Sequence, residues 1–226
     1  MHIGDGEQHV YRMGNHDIES IGVEKDLGVM LSSDMKMINH CSFAYTKANK
    51  MLGLLKRTIK YKRTDVMMSL YKALVRPHLE YCASVWSPYY RKDRELLEKV
   101  QHRFTKMFPA IKNKPYEERI KELGLWSLEE RRNRADLIET FKLVKGLSGI
   151  RYENFFEIDT ESRTRGHSLR IVKKRFSTTR RQHTFSQRVI NRWNGLDQET
   201  VGASTLNGFK HGLERLRRTR MGLFLD

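Results

Sequence analysis

Side chains able to do chemistry are plentiful in this chain, but their spacing brings few of them together. Nine histidines and two cysteines, Cys41 and Cys82, fall at no zinc-ligand spacing. His78 and Cys82 can share one helix face, yet two ligands do not make a metal site, and a core cysteine beside a polar histidine accounts for the pair. Two-metal phosphoryl chemistry needs paired carboxylates. No two aspartates are adjacent. The pairs Glu117–Glu118 and Glu129–Glu130 stand where first helical turns are expected, and acids there suit the helix dipole. No GxxxxGKS or GxxxxGKT loop supports an NTPase, and no motif joins serine, histidine and acid as a hydrolase would require.

Positive charge is what the sequence does concentrate. The net charge is +16 over 226 residues. Residues 1–31 carry only Arg12 and Lys25 against six carboxylates, a balance of −4 that leaves +20 on the rest. One cluster, Lys56, Arg57, Lys60, Lys62 and Arg63, falls at the end of an expected helix, where cations suit the dipole and would also clamp phosphate. Another runs through Arg163, Arg165, Arg170, Lys173, Lys174, Arg175, Arg180 and Arg181. Between them, Tyr81, Trp86, Tyr89 and Tyr90 alternate with Arg76, Arg91, Lys92 and Arg94. Such interleaving suits stacking on bases, or a core edge with hydrogen-bonded tips. Trp86, Trp126 and Trp193 are assigned to packing, and Tyr89 and Tyr90 fit both readings. An excess of this size predicts a polyanionic partner bound through phosphate neutralisation. A membrane surface fits less well, because the basic helices lack an exposed apolar face.

The elements that must position these groups are mostly helical. HVYRMG and IGVEKDLGVML read as two strands around a turn at Gly14–Asp17. A long helix is expected from Met35 to Ile59, capped by Ser33 or Asp34. The stretch from Thr64 to Phe108 predicts two amphipathic helices. Val66, Met67, Leu70, Ala73 and Leu74 form one stripe, and Leu96, Leu97, Val100, Phe104 and Met107 the other. Thr64 is the expected cap, Pro77 an expected kink and Pro88 an expected stop. A helix starting after Pro115 should close at Gly124. Ser127 and Glu130 make a capping box for the next, whose stripe is Ala135, Ile138, Phe141 and Val144, ending at Gly146. Residues 148–184 read as loops with a hairpin. Phe185, Val189 and Trp193 restore a helical step, and Ser204 caps a final helix through Leu206, Phe209, Leu213 and Leu216. Two cysteines without close spacing read as reduced, and MHIGDGEQHV lacks the features of a signal peptide. No run reaches the length of a membrane span. An intracellular protein of nucleus or cytoplasm is therefore expected.

The central stretch LYKALVRPHLEYCASVWSPYYRKDRELLEKVQHRFTKM resembles the region after the palm in non-LTR, LINE-type retrotransposon reverse transcriptases, nearest to the chicken-repeat and jockey-like group. EKDLGVMLSSDMK, KANKMLGLLKR, YEERIKELGLWSLEERRNRADLIETFKLVKG, SRTRGHSL and FSQRVINRWNGL are similar to the same family in the same order, so the likeness covers nearly the whole chain. No single block is a chemical signature; the ordered succession is what is specific. The resemblance implies that MHIG matches the end of the palm sheet, with Met1 inside the family pattern and the palm upstream. It implies that Leu27, Gly28 and Val29 match the primer grip, and that residues 36–108 match the thumb, which lies along the primer–template duplex. The family's catalytic aspartate pair has no counterpart here, and its magnesium would be held by the parent enzyme, not by this chain.

The fold expected is mainly α: a bundle-like thumb and a helical C-terminal region, with a short N-terminal β-hairpin as a remnant of the palm. The expected divisions are 1–34, 35–110 and 111–226. The expected function is that of a catalytically incomplete polymerase region, without cofactor, that binds RNA, DNA or hybrid through backbone contacts and packs against the missing palm. The alternatives are a stand-alone basic helical binding or scaffold protein of transposon origin, a truncated gene product without function, and an enzyme of another class, for which no residue set is found.

Overall fold

The computed structural model describes residues 1–3, 9–160, 166–220 and 222–225. The fold is mainly α, with short β-hairpins near the N-terminus. Two compact units divide the chain: Met1–Cys82 with Trp86–Leu125, and Ala83–Val85 with Trp126–Asp226.

In the first unit the N-terminal strands form two hairpins instead of one. β1 (Tyr11–Met13) pairs with β2 (His16–Ile18), and β3 (Val23–Asp26) pairs with β4 (Val29–Ser32), both antiparallel. The expected single strand IGVEKDLGVML therefore folds back on itself. Leu27 (φ 43°) and Gly28 (φ 89°) take the left-handed backbone that a two-residue hairpin turn demands. β1 and β2 are wholly exposed, whereas β4 buries Val29.

α1 (Ile38–Thr58) buries Cys41, Ala44, Ala48, Leu52 and Leu55, as the helical period requires. Its start is capped differently from expectation. The cap position is Met37 and has no side-chain bond; Asp34 Oδ1 instead accepts from Lys36 N at 2.9 Å. α2 (Thr64–Leu70) places Thr64 inside the helix, with Arg63 at the cap. It passes into a single π turn over Tyr71–Val75 and then α3 (Pro77–Glu80). Arg76 N donates to Tyr71 O at 2.9 Å, five residues back. Pro77 has no N–H and crowds the preceding turn, and the widened turn accommodates it. It also rotates the face. Met67, Met68, Tyr71, Val75 and Leu79 are buried, while Val66 and Leu74 are exposed.

Cys82 holds a left-handed backbone (φ 54°) between α3 and α4 (Ala83–Trp86). That turn takes it off any helix face shared with His78. It is exposed, against the expectation of a core cysteine beside His78; Cys41 is the buried one. Trp86 is fully buried, its indole N–H on Tyr81 O. Pro88 ends this segment as expected, and α5 (Arg91–Thr105) follows, burying Leu97, Val100 and Phe104. Tyr71 stacks on Phe104 at 4.0 Å between ring centres. α6 (Tyr116–Glu122) belongs to this unit, whereas the expected division lay at 110. The reason is a buried polar chain. Tyr71 donates to Gln101 Oε1 at 2.8 Å, Gln101 Nε2 donates to Tyr116 Oη at 2.9 Å, and Arg119 donates to His102 O at 3.1 Å. Gly124 (φ 60°) closes α6, with Leu125 N reaching back to Ile120 O at 2.8 Å.

In the second unit α7 (Leu128–Val144) carries the complete Ser127–Glu130 capping box and ends at Gly146 (φ 66°). Its buried face includes Arg132, Asn133, Asp136, Thr140 and Phe141, whereas Ala135, Ile138 and Val144 are only half-buried. Polar partners shift the face. Asn133 Nδ2 donates to Phe224 O at 2.8 Å, and Asp136 accepts from Arg188. A 3-10 turn at Tyr152–Asn154 leads to an antiparallel bridge between Ile158 and Ile171. Of the hairpin expected in residues 148–184 the described residues show this one bridge, and its two sides are anchored because Phe156 and Ile171 enter the core. Short helices α8 (Thr179–Gln182), α9 (Phe185–Arg188), α10 (Ile190–Asn194) and α11 (Gln198–Val201) precede α12 (Leu206–Thr219). The cap of α12 is Thr205, whose Oγ1 accepts from Gly208 N at 3.0 Å, not Ser204. Trp126, Phe141, Trp193, Phe209, Leu213 and Phe224 lie at the centre of the core.

Candidate nucleic-acid interface

The first unit contains a cleft of about 650 Å³ lined by five cations and no carboxylate. One wall is α1. Asn49, Leu52, Gly53 and Lys56 recur at three- and four-residue spacing and so share a face of that helix. The other wall is the end of α5 and the turn beyond it: Arg103, Lys106, Met107, Pro109 and Lys112, with Lys62 completing the rim.

Cations in the last turns of α1 and α5 complement the helix dipoles, which accounts for Lys56 and Arg103. Lys62, Lys106 and Lys112 lie beyond those helices. Among the described residues, no carboxylate forms an ion pair with any of the five. Arg103 is held without an acid, its Nη1 donating to Asn49 Oδ1 at 2.9 Å and its guanidinium 5.7 Å from the Tyr45 ring centre. Asn49 Nδ2 is buried and has no acceptor. Like charges converge here at a cost that an anion would offset.

The expected phosphate ligands are distributed unevenly about this cleft. Lys56 and Lys62 line it; Arg57 and Lys60 are exposed outside its lining. Arg63 is paired with Asp65 at 2.8 Å, and this guanidinium holds the Asp65 carboxyl below its usual range. Arg76 pairs with Glu80 at 3.6 Å and Arg91 with Glu95 at 2.7 Å, while Lys92 sits 5.7 Å from the Tyr90 ring centre. In the second unit Lys173, Arg175 and Arg180 are exposed, Lys174 pairs with Glu157 at 2.9 Å, and Arg181 lines a cavity of about 430 Å³. Arg163 and Arg165 lie outside the described residues.

Leu27 and Gly28, expected in a primer-grip strand, form the β3–β4 turn instead, and only Val29 is in a strand. Tyr81 Oη donates to Leu27 O at 3.0 Å, and its ring lies 3.3 Å from where a side chain on Gly28 would begin. A smaller cavity of about 210 Å³ lies beside this turn, lined by Lys25, His40, Phe43, Lys47, His78 and Tyr81 among others. Glu117 and Glu118 stand in the first turn of α6, and Glu130 serves its capping box and Arg217. Among the described residues no three His, Cys, Asp or Glu groups gather as metal ligands. No helix there is long and apolar enough to cross a membrane.

Sequence reasoning missed Arg103, Lys106 and Lys112, because each stands singly among apolar or neutral neighbours. It also passed over Gly53, although a glycine inside a long helix is a signal in itself. Set against protein-family models, curated proteins and solved structures, the chain matches none of them.

Proposed function

We propose that this chain is a catalytically incomplete C-terminal region of a LINE-type reverse transcriptase that retains nucleic-acid binding without polymerisation. The observation that carries the binding is the cleft, where five cations converge without a carboxylate. The family assignment draws on the ordered sequence blocks, and the lack of polymerisation on the absence of any adjacent aspartates. Lysines on a rim neutralise phosphates without reading bases, as a polymerase that accepts every sequence requires.

Binding isotherms on several unrelated nucleic acids, from low to physiological salt, test this. Affinity should fall with salt alike for all sequences, and Lys106→Glu with Lys112→Glu should reduce the slope by roughly one for each phosphate no longer neutralised. Binding that ignores salt, or an unaltered slope in the double variant, would refute the assignment. A stand-alone binding protein is the second reading. It is favoured by the support β4 finds within this chain: Val29 is buried and Met30 N donates to His40 Nδ1 at 3.0 Å.

A further inference from the structure

The cleft differs from a surface built only to lie along a duplex. Its cations surround an apolar floor of buried Leu52 and half-buried Met107, with exposed Pro109 at the edge. A duplex stacks its base faces inside, so it can meet the cations and leaves an apolar floor unused. A single strand exposes sugars and base faces, and the pairing of a basic groove with apolar platforms is how single strands are held. The volume, about 650 Å³, is that of a small-ligand cleft. It suits a few nucleotides of one strand.

Two further details concern the floor. Gly53 is internal to α1, where glycine costs about 1 kcal/mol relative to alanine. No packing reason accounts for it, because a side chain built there meets no atom within 4 Å. What glycine does provide is bare backbone between Leu52 and the rim, which lets a ligand approach closely. Asn49, one turn earlier, has its Oδ1 engaged by Arg103, while its Nδ2 has no acceptor.

Building on the reading of this cleft as a nucleic-acid site, we infer that its ligand is a single strand. Phosphates lie on Lys56, Lys106 and Lys112, and one sugar or base rests on the Gly53–Met107 floor.

The test is fluorescence anisotropy on the whole chain with a labelled octanucleotide and with a blunt duplex of matched charge. Gly53→Leu fills the floor, and Gly53→Ala is the folding control, with a melting temperature expected at or above that of the parent. Gly53→Leu keeps the charge and should weaken the single strand by about tenfold, the worth of one base resting on the floor, while leaving the duplex nearly unchanged. Equal weakening on both ligands, or none on the single strand, overturns the inference. A parent chain that binds duplex with a steep salt slope but not the octanucleotide overturns it too, and leaves the proposed function standing. A parent chain that binds neither overturns both.

Discussion

The two units use their positive charge in opposite ways. In the second unit the guanidinium groups hold the fold. Arg188 reaches Asp136 at 2.8 and 3.0 Å and also donates to Ser84 O at 2.7 Å. Arg217 grips Glu130 at 2.8 and 2.9 Å and lies 4.5 Å from the Trp126 ring centre. Arg215 bridges Asp197 and Glu199, and Arg220 donates to Gly195 O at 2.7 Å. In the first unit the cleft cations have no carboxylate partner among the described residues, and the fold rests on Trp86, Tyr71 and Phe104. Charge counted along the sequence therefore overstates the second unit as an anion site. Residues 160–226 hold +10, yet several of those charges are neutralised by Glu130, Asp136 and Glu157 from earlier in the chain.

The contrast is broken most directly at Arg188. Burial pushes the Asp136 carboxyl up, and Arg188 opposes that shift by favouring its charged form. Arg188→Ala removes the two-point partner of a buried carboxylate, leaving only Ser84 and Arg192 to support it, and should cost about 3 kcal/mol in a denaturant melt. The salt slope of binding should not change in any surviving folded fraction. A mild loss of stability with a reduced slope would make Arg188 a phosphate ligand and erase the contrast. Trp86→Ala tests the first unit's core and should also cost about 3–5 kcal/mol. An unchanged melting temperature with weaker nucleic-acid binding would move that ring from packing to stacking.

Acid sharpens the comparison further. His40 is buried against Trp86, 4.2 Å between ring centres, and accepts the Met30 N–H. Burial pulls its pKa from 6.5 down to about 4. A base whose folded pKa lies below its unfolded value contributes fully above the unfolded pKa. That contribution is lost as pH falls from 6.5 toward about 4, because the unfolded chain takes up the proton first. His102 and His167 are shifted the same way by burial. Stability should fall through this window, and amide exchange at Met30 should speed up. His40→Gln keeps an acceptor for Met30 and should flatten the fall; an identical pH profile would show that His40 is not the group responsible.

The smallest effect on stability is expected in the cleft. Lys106→Ala should change stability by no more than about 0.5 kcal/mol while lowering the salt slope by roughly one. A large destabilisation would show that the cleft lysines, like the second unit's arginines, hold structure.

The amino-acid sequence by itself determined what a few neighbouring residues can settle. The capping box at Ser127 and Glu130, the closures at Gly124 and Gly146, the disturbance at Pro77 and the stop at Pro88 all stand, because each depends on atoms within a turn or so of chain. The existence of α1 and the burial of all three tryptophans were equally legible, through helical period and side-chain size. Tertiary structure decided the rest. The π turn after Leu70 changed which residues face inward, an adjustment that a regular period cannot anticipate. Leu27 and Gly28 became a turn because β3 pairs with β4, a choice made between strands. Only packing of α1 beside α5 could bring Asn49 to Arg103 and set the lysines of residues 56–62 opposite those of residues 106–112. Which cations remain without a carboxylate was decided in the same way, because the acids that neutralise Arg188 and Arg217 lie 52 and 87 residues away along the chain.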